Sequence, residues 1–175
     1  PKGSLDFATR VGNNFGISGG VSYYKRTFET DNIEADGWEE DDGVIYAEDL
    51  EYRDYDVERE RISATLGFDV RAGDSTELYV RGVYSQFDDQ ESRRRLIFDL
   101  GDAIVSGSGS TVNYSDTDPD PDEEAAITVE RDIKDRFESQ KIRSLVFGGE
   151  SDWGAWFANY SASWAKSSEL ENGSL

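Results

Sequence analysis

Residues 62–71 read Ile-Ser-Ala-Thr-Leu-Gly-Phe-Asp-Val-Arg, and every second side chain in this stretch is apolar, from Ile62 to Val70. The intervening positions hold serine, threonine, glycine, aspartate and arginine. Because successive side chains of a β-strand point to opposite faces, this alternation predicts a strand with one apolar face and one polar face. The sequence Ala72-Gly73-Asp74-Ser75 then predicts a tight turn.

Five other segments show the same period of two, and they are residues 5–11, 15–24, 77–85, 141–149 and 156–164. In 141–149 the facing stays open, because Ile142 and Val146 point one way while Leu145 and Phe147 point the other. The sequence therefore predicts an all-β fold of about six long strands.

The aromatic residues of two segments are spaced for a membrane. Phe15 and Tyr23 lie eight residues apart on one parity, as do Trp156 and Trp164. At about 3.3 Å per residue and a tilt of about 40°, this spacing approaches the apolar band of roughly 25 Å that aromatic girdles border in membrane barrels. The pairs are thus expected at the two membrane interfaces.

Short and long connections alternate along the chain. Tight turns are predicted near Asn13, Gly73 and Asp152, whereas the polar stretches of about 29–56 and 88–135 are predicted as long loops. Outer-membrane barrels combine short periplasmic turns with long extracellular loops in this way. We therefore expect an antiparallel transmembrane β-barrel wall, with residues 1–175 forming a partial barrel domain of a larger barrel.

Composition excludes several classes of function. The net charge is -20, from 38 acidic and 18 basic residues, which argues against binding a nucleic-acid backbone. The chain contains no histidine and no cysteine, so it cannot form a Ser-His or Cys-His pair or a disulfide. We expect a protein that is not an enzyme.

A soluble antiparallel sandwich would alternate in the same way. Three observations favour the barrel: the predicted strands are longer than the usual five or six residues, the connections alternate in length, and glycine, serine and threonine crowd the polar parity. A soluble carbohydrate-binding β-domain nevertheless stays open as an alternative, as does another outer-membrane barrel, an adhesin or an enzyme.

Two blocks carry a resemblance to a known family. Residues 52–71 begin Tyr-Arg-Asp-Tyr-Asp-Val-Glu-Arg-Glu-Arg, and residues 77–91 read Glu-Leu-Tyr-Val-Arg-Gly-Val-Tyr-Ser-Gln-Phe-Asp-Asp-Gln-Glu. Both resemble mid-barrel hairpins of TonB-dependent outer-membrane receptors. The resemblance implies a barrel of about 22 strands around an N-terminal plug. This sequence shows neither a plug nor a TonB box, so it would be an internal fragment forming roughly a quarter of the wall.

The resemblance also implies a function and partners. Such receptors import a scarce solute, here a siderophore, a carbohydrate or a cobalamin-like molecule, with energy delivered by TonB through the plug. The location implied is the bacterial outer membrane. Outer-membrane lipid and lipopolysaccharide would then surround the chain.

The acidic run Asp116, Asp118, Asp120 and Asp122 offers the oxygen ligands that Ca²⁺ prefers. It lacks the glycine and the spacing of an EF-hand, and acids separated by prolines are usually extended and solvated. A surface Ca²⁺ site is therefore only a weak candidate, and no other cofactor is expected.

Arg93, Arg94 and Arg95 follow the fourth predicted strand, where its outer end would emerge among lipid phosphates. Guanidinium groups suit phosphate geometry, so contact with lipopolysaccharide is one interpretation. Pairing with neighbouring loop acids is at least as well supported, given the acidic excess.

Aromatic residues in the first predicted loop are candidates for contact with the solute: Trp38, Tyr46, Tyr52 and Tyr55. Aromatic side chains among carboxylates can stack on a sugar or a siderophore. Packing of the loop on itself is the alternative.

Overall fold

A computed structural model describes residues 1–101, 103–108, 111–115 and 127–173. The chain is all-β, with strands β1 Lys2–Val11, β2 Phe15–Asp41, β3 Val44–Arg71, β4 Thr76–Asp99, β5 Ile104–Ser108, β6 Thr111–Ser115, β7 Thr128–Asp152 and β8 Phe157–Gly173. Six long strands form one antiparallel sheet in the order β1-β2-β3-β4-β7-β8, and β5 pairs with β6 in a separate hairpin. In the part of the chain described, no helix is long and apolar enough to cross a membrane.

The predicted set of six long strands is confirmed, and the tight turns lie where they were expected. Pro1–Thr27, Glu58–Gln90 and Arg136–Gly173 form one compact unit, called unit 1 below. The described residues of 28–57 and 91–135 form a second, called unit 2. Each unit contains its own stretches of β2, β3, β4 and β7.

The prediction that 29–56 is a loop is wrong. Strand β2 runs to Asp41 and β3 starts at Val44, so Asp42 and Gly43 alone form the turn, with φ values of 46° and 78°. Two positive φ values in a two-residue connection are typical of a tight hairpin. The pattern was missed because both faces of these strand segments are polar, so no apolar parity marks them.

The loop predicted at 88–135 is also largely strand where it is described. It contains the end of β4, the hairpin β5–β6 and the start of β7. Asp116, Asp118, Asp120 and Asp122 lie outside the described residues. The extracellular location predicted for both stretches stays a prediction.

Strand pairing in unit 1 aligns the apolar parities of neighbouring strands. Leu5 lies opposite Val21 and Val11 lies opposite Phe15, so β1 and β2 share one apolar face. At the other end of the sheet, Leu145 lies opposite Trp164. This register resolves the facing of 141–149: Leu145 and its neighbour on the same parity, Phe147, lie on the apolar face.

The opposite face of unit 1 is polar and is linked by cross-strand contacts between β3 and β4. Ser63 Oγ lies 3.4 Å from Ser85 Oγ, and Arg71 Nε donates to Glu77 at 3.0 Å. Between them, the Arg81 guanidinium donates to the Asp69 carboxylate. Opposite charges across antiparallel strands stabilise the register that places them together.

The apolar face of unit 1 is uncovered. Phe7 is 49% exposed, Phe147 46% and Trp164 55%. Among the described residues, the only buried apolar side chains are Ala47 and Val57, and both belong to unit 2. Unit 1 therefore has no hydrophobic core of its own in its described residues, because no second layer packs against its apolar face.

Substitutions at two glycines test how closely neighbouring strands of this sheet approach each other. A Cβ at Gly149 would lie 2.6 Å from the Glu77 carbonyl oxygen, whereas a Cβ at Gly82 would lie 3.8 Å from that of Leu66. We expect Gly149→Ala to lower the free energy of unfolding by about 1–3 kcal/mol through overpacking. Gly82→Ala, the matched control, should be neutral or stabilise by up to about 1 kcal/mol. Urea titration of the folded chain measures both; equal effects would contradict the register.

Candidate functional site

A network of alternating charges crosses unit 2. Arg53 pairs with Glu34 on β2 and donates to Glu51 on its own strand, with 2.6 Å between Nε and Oε2. Arg95 on β4 reaches Glu51 at 3.2 Å and also pairs with Asp132 on β7. The network therefore links four neighbouring strands through side chains that are mostly half-buried.

This network shifts the pKa values of its carboxyl groups. Burial raises the pKa of Glu51, but hydrogen bonds and charge from Arg53 and Arg95 outweigh burial, so the net pKa lies below its ordinary value. The hydrogen bond from Arg95 lowers the pKa of Asp132, against a smaller opposing effect of desolvation. Both acids are thus held ionised by guanidinium groups.

Asp49 has the opposite environment. Its pKa is raised, first by burial and then by the neighbouring carboxylates of Asp99, Glu51 and Asp36. Unit 2 therefore contains carboxyl groups perturbed in both directions, and only those beside arginine favour the charged form.

Unit 2 also contains a hollow of about 760 Å³, called the unit 2 hollow below. Its walls come from β2, β3, β4 and β7, and the residues used here are Ile33, Tyr52, Arg94, Leu96, Arg131 and Ile133. Ile33 and Ile133 are exposed at 63% and 57%. Apolar walls with a few polar groups are typical of small-molecule sites. Here guanidinium groups and the carboxylates of Asp31 and Asp54 supply the polar part. Such a hollow can hold a solute with an aromatic or aliphatic body and polar groups.

A second hollow, of about 620 Å³, lies on the polar face of unit 1. Arg10, Asp69, Arg71, Glu77 and Tyr79 contribute to its lining. All five belong to the polar parity of their strands. The polar face is therefore concave at this point and presents paired charges to whatever fills it.

The structure separates the four aromatic residues predicted to contact solute. Tyr52 lines the unit 2 hollow and packs edge-on against Phe98, with ring centroids 6.0 Å apart. Tyr46 instead packs against Tyr114 at 6.4 Å. Trp38 is exposed, and its indole nitrogen donates to the carbonyl oxygen of Ala35.

Tyr55, the fourth, is half-buried and does not line the unit 2 hollow. Alternation explains part of this separation, because Tyr52 and Tyr55 differ in parity along β3 and so point to opposite faces. Of the predicted set, Tyr52 is the one that the structure brings into a cavity.

All three arginines predicted to contact lipopolysaccharide have carboxylate partners. Arg93 lies 3.8 Å from Asp132, and Arg94 lies 3.2 Å from Asp54 and pairs also with Asp56. Arg95 belongs to the charge network. The structure thus bears out the alternative of pairing with neighbouring acids, and contact with lipopolysaccharide stays a prediction.

The predicted Ca²⁺ ligands lie outside the described residues, and within the described ones no group of three or more acidic, histidine or cysteine residues could hold a metal ion. Sequence reasoning missed the aliphatic walls of the unit 2 hollow. Ile33 and Ile133 are isolated apolar residues in polar stretches, and Leu96 directly follows three arginines. The three positions are far apart in the chain, and only strand pairing brings them together.

No protein-family model matches this chain. No curated protein matches it either.

A substitution of Arg95 tests the charge network, since the Arg95 guanidinium alone joins Glu51 to Asp132. Because both carboxyl pKa values are lower in the folded chain than in the unfolded one, their stabilisation is complete above the ordinary values of about 4 and is lost as pH falls through the folded values. We expect Arg95→Gln to destabilise unit 2 at pH 7. The free energy of unfolding of this variant should also decrease less than that of the parent chain as the pH falls.

The control is Arg94→Gln, which removes the same charge from a side chain that is 50% exposed. Its effect on unfolding should stay below about 1 kcal/mol, as exposed pairs contribute little. Denaturant titrations between neutral and acidic pH measure both variants. Asp49, with its raised pKa, adds an opposite slope to every curve, so the difference between variants is the quantity to compare. Parallel curves for Arg95→Gln and the parent chain would contradict the assigned network.

Proposed function

We propose that this chain is a segment of the wall of a β-barrel in a bacterial outer membrane, in a receptor of the TonB-dependent type. The observation that carries the proposal is the uncovered apolar face of unit 1. An extended patch of this kind on a protein surface marks a site of contact with another protein or with a membrane. Apolar side chains recur at every second residue along six paired strands. Such a regular surface fits the hydrocarbon of a membrane better than a protein partner of defined shape.

The polar face supports the same assignment on energetic grounds. An arginine that faces lipid near the bilayer midplane costs about 2–4 kcal/mol, whereas a wet lumen accepts it. Arg81 and Arg71 lie on the polar face, bound to Asp69 and Glu77. With lipid on the apolar side, both arginines would point into the barrel.

The spacing of aromatic residues along the strands gives the height of the apolar face. Phe15 and Tyr23 share the apolar parity of β2 and lie eight residues apart, and Trp156, directly before β8, has the same spacing from Trp164 within β8. At about 3.3 Å per residue and a tilt of about 40°, they are separated by about 20 Å along the membrane normal, close to the height of the apolar band. These tryptophans would then lie near its two borders.

For the wider function, we propose energised import of a scarce solute. The sequence resemblance to TonB-dependent receptors supports this proposal, and the unit 2 hollow supplies a cavity in which Tyr52 and Arg94 could meet a siderophore, a carbohydrate or a cobalamin-like molecule. Coupling to TonB would require a plug. Another outer-membrane barrel and a soluble carbohydrate-binding domain are the outcomes that the next two experiments separate from it.

The lipid-facing assignment is tested by fluorescent labels on single cysteines, which the chain permits because it has none of its own. Labels at Leu66 and Leu78 should be quenched by a lipid-soluble nitroxide after reconstitution. Labels at the adjacent Thr65 and Tyr79 are the matched controls and should respond to a water-soluble quencher. Equal quenching of both parities, or a stable monomer without detergent, would favour a soluble domain.

The receptor assignment is tested in cells that produce the complete protein containing this chain. Uptake of a radiolabelled solute that it binds should stop when TonB is deleted, while binding at the cell surface persists. Tyr52→Ala should weaken that binding, and Tyr46→Ala, which removes a tyrosine outside the hollow, should not. Uptake unaffected by loss of TonB would indicate a different class of barrel.

A further inference from the structure

Two cations face each other on the apolar side of unit 1. Arg143 on β7 lies directly opposite Lys166 on β8 in the strand register. The next pair on the same face toward the tight turn is Leu145 and Trp164, both apolar and exposed. The cations therefore lie where the apolar band of these two strands gives way to polar residues.

The position of this pair along the strands is defined by the turn. Arg143 precedes the end of β7 at Asp152 by nine residues, which corresponds to about 30 Å along a strand and about 23 Å of height at a tilt of about 40°. That height is close to the full apolar band of roughly 25 Å in a membrane barrel. If unit 1 crosses the membrane as proposed, Arg143 and Lys166 reach the level of lipid headgroups.

No carboxylate compensates this pair. In the described part of the chain, neither Arg143 nor Lys166 forms an ion pair, although the sequence has 38 acids for 18 bases. By contrast, Lys25 on the apolar parity of β2 has Glu58 at 2.5 Å. Like charges directly opposite each other on paired strands are destabilising. The pair thus leaves a local positive charge on a strongly acidic chain.

Lys141, two residues before Arg143 on the same parity of β7, adds a third cation to this face, and the other neighbouring groups are neutral or bound elsewhere. The Arg143 guanidinium lies 5.9 Å from the centroid of the Tyr84 ring, which holds it against the sheet. Gln86 follows Tyr84 on the same parity of β4, and its amide donates to Asp88 at 2.8 Å and 3.1 Å. Glu169, on the alternate parity of β8, points to the other face.

We propose that Arg143 and Lys166 bind the phosphate of an anionic lipid headgroup, with the acyl chains of the same lipid lying along Leu145, Phe147 and Trp164. Guanidinium and ammonium groups side by side suit a phosphate, and the apolar residues below them suit hydrocarbon. A free phosphate would use the cations alone, so the adjoining apolar surface is what selects a lipid. This inference rests on the proposed membrane location.

The test uses the full chain reconstituted in phosphatidylcholine vesicles with a trace of spin-labelled lipid. Electron paramagnetic resonance gives the fraction of each labelled lipid that the protein holds motionally restricted. We expect spin-labelled phosphatidylglycerol to be preferred over spin-labelled phosphatidylcholine by at least about fivefold, since each cation near a membrane surface contributes about that factor. High salt should reduce the preference.

Variants show which residues cause the preference for phosphatidylglycerol. Arg143→Gln with Lys166→Gln should abolish it, whereas Lys2→Gln with Arg10→Gln, which removes the same two charges from the polar parity of β1, should leave it unchanged. Arg143→Lys with Lys166→Arg should retain it, because the charges remain. A preference that survives the first double variant, or is lost in the charge-keeping one, would overturn the proposal.

The same measurement separates this inference from the membrane proposal. Restricted lipid of both kinds without a preference would leave the wall in place and reject the headgroup site. No restricted component for either lipid would reject the membrane wall, and the headgroup site with it.

Discussion

The central constraint on this protein is a sheet with one apolar face and nothing from the described chain to cover it. Six strands align their apolar parities across the sheet, as the pairing of Leu5 with Val21 and of Leu145 with Trp164 shows. Fully burying one large apolar side chain is worth about 1.5–3 kcal/mol, and this face contains many of them. The fold therefore depends on a second apolar phase, which we propose is the membrane.

The polar face is stabilised differently. Its strands carry glycine, serine and threonine between paired charges, so neighbouring backbones approach closely and side chains bond across them. Gly67, for example, leaves so little space that an added Cβ would lie 2.7 Å from Ser18 Oγ and 3.1 Å from Arg81 Cδ. On this face, small residues and ion pairs thus stabilise the sheet, as hydrophobic packing stabilises the core of a soluble protein.

The basic residues of the chain differ in whether a carboxylate lies beside them. With 38 acidic residues in the chain, most described arginines in the two units have carboxylate partners, and those partners link strands. In the charge network of unit 2, Glu51 and Asp132 are held ionised by Arg95. Arg143 and Lys166 differ because alternation turns the nearby acids of β8 to the other face. These two cations lie directly opposite each other beside exposed apolar residues, and that arrangement motivates the headgroup proposal.

The sequence alone indicated the strands of unit 1, the tight turns and the facing of every strand except 141–149, because a period of two is a local property that each strand displays without its neighbours. It did not determine the length of β2, β3 and β4, since both faces of their outer parts are polar and only cross-strand pairs such as Arg53 with Glu34 stabilise them. Nor could it resolve 141–149, where apolar residues occupy both parities until pairing with β8 selects one. The unit 2 hollow was likewise decided by tertiary structure, because Ile33, Leu96 and Ile133 come from three distant strands. Local alternation encodes which side of a strand is apolar, whereas register alone decides which distant residues meet.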